Sequence, residues 1–143
     1  MSMNVRVLET DAELDKVSYV LLEARNAFAK DGLIAHIKQQ QERGYEIAYV
    51  ESEGKVLCVA GFTVAMKLAW GQHIYIDDFV TAGAHRRCGA GAFLIEWLKK
   101  HARQRGCKQI HLDSSVTNFI AHRFYLNQGF NIASHHFAIK DLS

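Results

Sequence analysis

Arg86-Arg87-Cys88-Gly89-Ala90-Gly91 is the stretch whose residue types and spacing most directly promise chemistry. It stands between a strand-like apolar run, Ile74 to Thr81, and a helix-like run, Ala92 to Arg105. A glycine-rich turn that opens a helix after a strand is an anion site. The first helical N–H groups have no intrahelical partner, and the helix dipole adds partial positive charge. Glycine lets the backbone approach a phosphate without a Cβ in the way. Arg86 and Arg87 add charge and bidentate donors. The same spelling also serves a plain helix start whose glycines allow close packing. A third reading is dinucleotide binding, because Asp113 follows Gly89-x-Gly91 by roughly twenty residues. Against it, the third glycine position holds Leu94, and a polar loop, Ala82 to Arg87, separates strand from turn.

The elements that must position this turn follow from pattern. Asn4 to Leu8 reads as a first strand. Thr10 and Glu13 form a capping box, followed by Leu14, Val17, Leu21, Ala24 and Phe28 at helical spacing. That predicts a helix over about 11 to 28, broken by Asp31-Gly32, and a second helix from Leu33 to Arg43. Strands are expected over Tyr45 to Glu51, Lys55 to Lys67 and His73 to Thr81, with tight turns at Glu53-Gly54 and Trp70-Gly71 and a bulge suggested by Gly61 inside the second of these strands. A helix then leads to a strand at Lys108 to Asp113, a helix at Asn118 to Gln128, and one or two strands over Phe130 to Lys140. Tight turns make the middle strands antiparallel. The helical crossover makes the strands on either side of the glycine turn parallel.

The 143 residues suit one domain, 1–143. A net charge of +2, with 17 Lys and Arg spread along the chain, is too weakly basic to argue for nucleic acid. No apolar run approaches a membrane span, and the first residues lack a signal-peptide apolar region. Cys58, Cys88 and Cys107 are an odd number and match no zinc or disulfide spacing, so no metal is expected. These features predict a reduced, cytoplasmic, soluble protein without a membrane or nucleic-acid partner. Strand edges near the C-terminus make a homodimer an expectation.

At this point the chain resembles the GCN5-related N-acetyltransferase (GNAT) superfamily. The family's pyrophosphate turn, Arg/Gln-x-x-Gly-x-Gly/Ala, is matched by Arg86 to Gly91. The acidic pair before it is matched by Ile76-Asp77-Asp78-Phe79-Val80-Thr81. A downstream motif is matched by Asn118-x-x-Ala121-x-x-Phe124-Tyr125-x-x-x-Gly129-Phe130. Gly83 departs from the pattern, where the family often has proline. The resemblance implies an α/β fold with a mixed, mostly antiparallel sheet, a central parallel strand pair splayed apart, and helices on both faces. It implies acetyl-CoA as cofactor and acetyl transfer to a primary amine, on a small molecule or a peptide.

Site residues are implied in the same way. Backbone N–H groups of Arg87, Cys88, Gly89, Ala90, Gly91 and Ala92 would hold the pyrophosphate, with Arg86 and Arg87 adding charge. Main-chain groups of Phe79, Val80 and Thr81 would pair with the pantetheine amides. Asn118 would touch the pantetheine arm or merely cap its helix, with Ala121 and Phe124 beside it in the motif. Tyr125 matches the family's proton donor to the departing thiolate; otherwise it is a core aromatic.

A base must take the amine proton. Asp77, Asp78 and Asp113 are acidic candidates, and strand alternation sends Asp77 and Asp78 to opposite faces. His111, His122, His135 and His136 are further candidates, as is a water relay. Cys88 reads as a turn residue. The acceptor pocket is expected between Glu23 and Gly44, lined from Arg25, Asn26, Phe28, Asp31, His36 and Gln39 to Gln41, with Glu23 and Asp31 attracting a cation and Trp70 as a further wall. The runner-up function is a non-catalytic coenzyme A or acyl-CoA binding module on the same fold.

Overall fold

The computed structural model describes residues 2–143. By its internal contacts the chain forms two compact units. One ends at Leu112 and carries the sheet; the other, Asp113–Ser143, carries a single helix, α4 (Phe119–Asn127).

Five strands form one sheet in chain order: β1 (Asn4–Val7), β2 (Glu46–Ser52), β3 (Lys55–Lys67), β4 (Gly71–Thr81) and β5 (Gln109–Leu112). The first four pair antiparallel, and β4 pairs β5 in parallel. That arrangement follows from the connections. Two residues, Glu53 and Gly54, link β2 to β3, whereas α3 (Ala90–Gln104) spans the crossover from β4 to β5. The parallel pair stands at one end of the sheet. Phe130 to Lys140, expected as further strands, has no strand structure. Its apolar residues Ile132, Phe137 and Ile139 are exposed, and a strand exists only where a partner completes its ladder. The dimer expected from strand edges there loses that support.

Helix α1 (Asp11–Ala24) begins at the predicted capping box. Thr10 Oγ1 accepts the Glu13 N–H at 3.2 Å, and Glu13 Oε1 accepts the Thr10 N–H at 3.1 Å. The other Glu13 oxygen accepts the Tyr49 hydroxyl at 2.6 Å, which ties the helix start to β2. The helix ends earlier than its apolar spacing predicts. Arg25 leaves helical geometry (φ −119°, ψ 52°), and Asp31-Gly32 falls inside the first turn of α2 (Lys30–Gln41).

Leu14, Val17 and Leu21 of α1 and Leu33 and Ile37 of α2 pack with Ile47, Tyr49 and Val59 of the sheet into one buried cluster. Each such side chain contributes about 1.5–3 kcal/mol by leaving water. Strand alternation turns Ala48, Val50 and Ala60 to the opposite face. Helix α3 packs on β2, β3 and β4, burying Leu94, Ile95, Leu98 and Ala102. Among the described residues, no helix is long and apolar enough to cross a membrane.

Candidate active site

The ladder between β3 and β4 is interrupted where the acidic pair lies. Gly61 pairs with Asp78, and the next β3 residue, Phe62, pairs with Ile76. Asp77 is therefore an extra residue on β4, a β-bulge. The strict alternation expected across Asp77 and Asp78 does not hold there, and both residues line one cavity.

Asp78 is held from two sides. The Tyr45 hydroxyl donates to Oδ2 at 2.6 Å, and Arg25 donates to Oδ1 from Nε at 3.0 Å and from Nη2 at 2.8 Å. Arg25 Nη2 also reaches the Asp77 carbonyl at 3.4 Å. Tyr45 crosses directly over Gly61, where any Cβ would overlap its ring and hydroxyl. Glycine at 61 thus makes room for the tyrosine that fixes Asp78. Burial, then the charge of Asp78, hold the Tyr45 phenol far above its ordinary range, so it is a permanent donor. Asp77 is not bridged in this way. Burial and then the neighbouring Asp78 charge raise its pKa, and Arg25 opposes them.

The cavity measures about 270 Å³. Its apolar wall is Leu21, Phe28, Leu33 and Ile37; its polar wall adds Arg25, His36 and Gln40 to Tyr45 and the two aspartates. Phe28 and His36 lie ring to ring at 5.3 Å. Of the expected acceptor lining, Arg25, Phe28, His36 and Gln40 are present, whereas Asn26, Asp31, Gln39 and Gln41 do not line it. Tyr45 and the Gly61 gap beneath it escaped the sequence reading, because nothing local in the sequence pairs residues sixteen apart. Glu23 also lies off the cavity: its carboxylate accepts the Gly83 N–H at 2.8 Å. Trp70 is elsewhere as well, stacked on His111 at 3.4 Å under the Lys67 ammonium. Burial, then His73 and Lys67, lower the His111 pKa.

The registered pairing of β4 with β5 ends at Ile76 and Leu112, whereas β4 runs on to Thr81. Phe79, Val80 and Thr81 lie on that extension, paired on their other side with Ala60, Val59 and Cys58. Beyond them a short 3₁₀ helix, Gly83–His85, leads into the glycine turn. Cys88 Sγ donates to the His85 carbonyl at 2.8 Å, a turn-holding contact. Arg87 and Gly89 both take left-handed φ (64° and 85°). Gly89 is the N-cap of α3 and has no side chain to satisfy the first-turn donors, which include Gly91 and Ala92, so these remain available to an anion. The Ala90 side chain is buried beneath them. Arg86 and Arg87 are exposed. The donor-rich, uncapped turn fits a pyrophosphate.

The second motif lies in the second unit. Asn118 caps α4, its Oδ1 accepting the Ala121 N–H at 3.2 Å. The Tyr125 end is a Schellman motif. The Phe130 N–H reaches the Tyr125 carbonyl and the Gly129 N–H reaches the Leu126 carbonyl, both at 3.1 Å, with Gly129 at φ 99°. Phe130 and Phe124 then meet the Tyr125 ring edge to face at 5.7 and 5.4 Å. The glycine and phenylalanine of the motif thereby fix the direction of the phenol. Within this unit His122 bonds the Ser115 carbonyl, and His136 lies 3.4 Å from Asp113.

Comparison with known proteins returns one family. The sequence model described as "Acetyltransferase (GNAT) family" matches residues 13–130. The chain is similar to an uncharacterized N-acetyltransferase, YhdJ, of Bacillus subtilis (strain 168): 29% identity over 98 residues, 68% of this chain and 69% of that protein. It is also similar to streptothricin acetyltransferase of Streptomyces lavendulae, 33% identical over 72 residues, which are 50% of this chain and 38% of that one. In fold it matches the aminoglycoside N-acetyltransferase AAC(6')-Iy solved in complex with CoA, with a TM-score of 0.85 at 14% identity, over 99% of this chain and 96% of that one.

Proposed function

Because the chain belongs to the acetyltransferase (GNAT) family and is an acetyl-CoA-dependent N-acetyltransferase, we propose that it transfers acetyl directly to a small primary amine bound at the Asp77–Asp78 cavity. The observation that carries this reading is the asymmetry of the two carboxylates. Asp78 is clamped by Tyr45 and Arg25, while Asp77 is left unbridged with a raised pKa. An ammonium has no lone pair, so the acceptor must lose a proton first. A carboxylate with a raised pKa is the better base for that task.

Charge and size narrow the acceptor. Ionised Asp77 and Asp78 against Arg25 leave one net negative charge on the wall, which suits a single ammonium. About 270 Å³ between Leu21, Phe28, Leu33 and Ile37 suits a compact apolar body. Acetyl-CoA supplies the activated acyl group. The turn from Arg87 to Ala92 holds its pyrophosphate, Arg86 and Arg87 add charge, Phe79 to Thr81 offer main-chain partners to its pantetheine arm, and Asn118 borders that arm. Tyr125 delivers its hydroxyl proton to the sulfur that leaves. The free thiols Cys58, Cys88 and Cys107 favour a reducing, cytoplasmic setting.

Thiol release from acetyl-CoA, followed with a panel of monoamines and polyamines, tests the proposal. Turnover should be best with compact apolar monoamines. Tight coenzyme A binding without turnover on any amine refutes catalysis, and a preference for polyamines refutes the cavity assignment.

A further inference from the structure

The loop from β4 to the glycine turn is fastened at its start by two bonds to other elements. The Ala82 N–H reaches the Leu57 carbonyl of β3 at 2.9 Å, and the Gly83 N–H reaches Glu23 Oε1 of α1 at 2.8 Å. After that the bonds are internal: the His85 N–H to the Ala82 carbonyl at 2.9 Å and Cys88 Sγ to the His85 carbonyl. The first of the two anchors is main chain to main chain; the second depends on one side chain.

The backbone at this point already has the shape that proline imposes. Ala82 sits at φ −57°, ψ 134°, the extended region favoured before a proline. Gly83 opens a short helix, where a proline ring is tolerated. Glycine supplies no such restraint, since it leaves the unbound loop many conformations to lose. It does supply the N–H that proline lacks, and Glu23 accepts it.

We propose that Glu23 is a positioning residue for the cofactor turn: its carboxylate, by holding the Gly83 N–H, sets the direction in which the loop delivers Arg87 to Ala92. Glu23 and a proline at 83 are then alternative solutions to one problem, and only one is needed. A ring at 83 would also displace the Glu23 carboxylate, which a Cβ there would already approach to 3.1 Å. Glu23 is exposed and can swing away without disturbing the core. The inference rests on the turn being the cofactor cradle.

The test compares Glu23→Ala, Glu23→Gln, Gly83→Pro and the double variant Glu23→Ala/Gly83→Pro, with Gly89→Glu as the reference for the turn itself. Coenzyme A affinity is read by calorimetry; KM for acetyl-CoA and kcat are read in steady state. Glu23→Ala should weaken coenzyme A binding and raise KM about three- to tenfold, as expected for loss of one solvent-exposed hydrogen bond of ordinary strength, with kcat nearly unchanged. Glu23→Gln should retain affinity, because its amide oxygen still accepts. The double variant should bind like Gly83→Pro alone. Unchanged affinity in Glu23→Ala, or an equal loss with proline at 83, overturns the proposal if Gly89→Glu abolishes binding. Retained binding in Gly89→Glu overturns the cradle reading itself, and this inference with it.

Discussion

Tyr45→Phe removes one hydroxyl from the wall of the cavity, and its consequences can be worked through. The bond lost is 2.6 Å long and runs to a carboxylate. Tyr45 is 4% exposed and the Asp78 side chain 15%, so little water stands ready to replace it. A hydrogen bond to a charged group contributes about 1.5–3 kcal/mol net, and we take about 2 kcal/mol. For 143 residues, an unfolding entropy of about 2.1 cal/mol/K per residue gives ~0.3 kcal/mol/K, so Tm should fall by about 7 °C. Tyr49→Phe is the matched control. Its hydroxyl donates to Glu13, also at 2.6 Å, and its side chain is 1% exposed, but it lies away from the cavity. Both variants should lose similar stability. Only Tyr45→Phe should change the pH profile. Without the phenol the Asp78 charge is less compensated and pushes the Asp77 pKa up further, moving the acidic limb of kcat/KM to higher pH. Thermal melts and pH–rate profiles of the pair decide the matter. An unmoved limb in Tyr45→Phe, or an equal shift in Tyr49→Phe, refutes the idea that this bond tunes Asp77.

Asp77→Asn should lower turnover by about 10²–10⁴-fold, the range for losing a general base, while acetyl-CoA binding persists. Its folded pKa is raised, so its contribution to stability is present below the ordinary carboxylate range and lost as pH rises through the folded value. The variant should therefore melt higher than the parent at neutral pH, and the difference should vanish in acid. Tyr125→Phe should reduce turnover about 10²-fold with coenzyme A affinity intact, read by thiol release and calorimetry. Glu13 behaves oppositely to Asp77. Its pKa is lowered, chiefly by the Tyr49 hydrogen bond, so the stability it lends is present above the ordinary carboxylate value and lost as pH falls through the folded one. Glu13→Gln should flatten that acid-side loss in melts followed from about pH 5 downward.

Features carried by short-range chemistry were legible in the sequence. Thr10 and Glu13 announced the start of α1, and Lys55 to Lys67 announced β3 to the residue, because caps and strand ends are local choices. The glycine turn and the Asn118–Phe130 motif were legible because each is a local backbone device. What escaped depends on pairing at a distance. Gly61 pointed to a bulge, and the ladder shifts register beside it; that the extra residue is Asp77 on β4 is a property of register between two strands, which neither strand encodes alone. The end of α1 at Ala24 is set where Arg25 turns toward Asp78, fifty-three positions away. Phe130 to Lys140 has the composition of strands, but composition does not provide the neighbouring strand. Four of the expected acceptor residues were found because two helices were expected between β1 and β2, although α1 ends at Ala24 and α2 begins at Lys30, both earlier than expected; Tyr45 was missed because its role depends on an empty space at Gly61.

The extra residue in β4 acts as a phase shift. Before it, Ile74 and Ile76 keep step with the buried rows of the sheet. After it, odd and even positions exchange faces, and Val80, paired with Val59, packs against the cluster under α1 and α2. Were Asp77 instead to pair regularly with Gly61, the ladder up to Ile76 would be untouched, yet Asp78, Phe79, Val80 and Thr81 would all turn to the opposite face together. In this chain the demands of folding and of chemistry meet along one strand and are decoupled by a single inserted position.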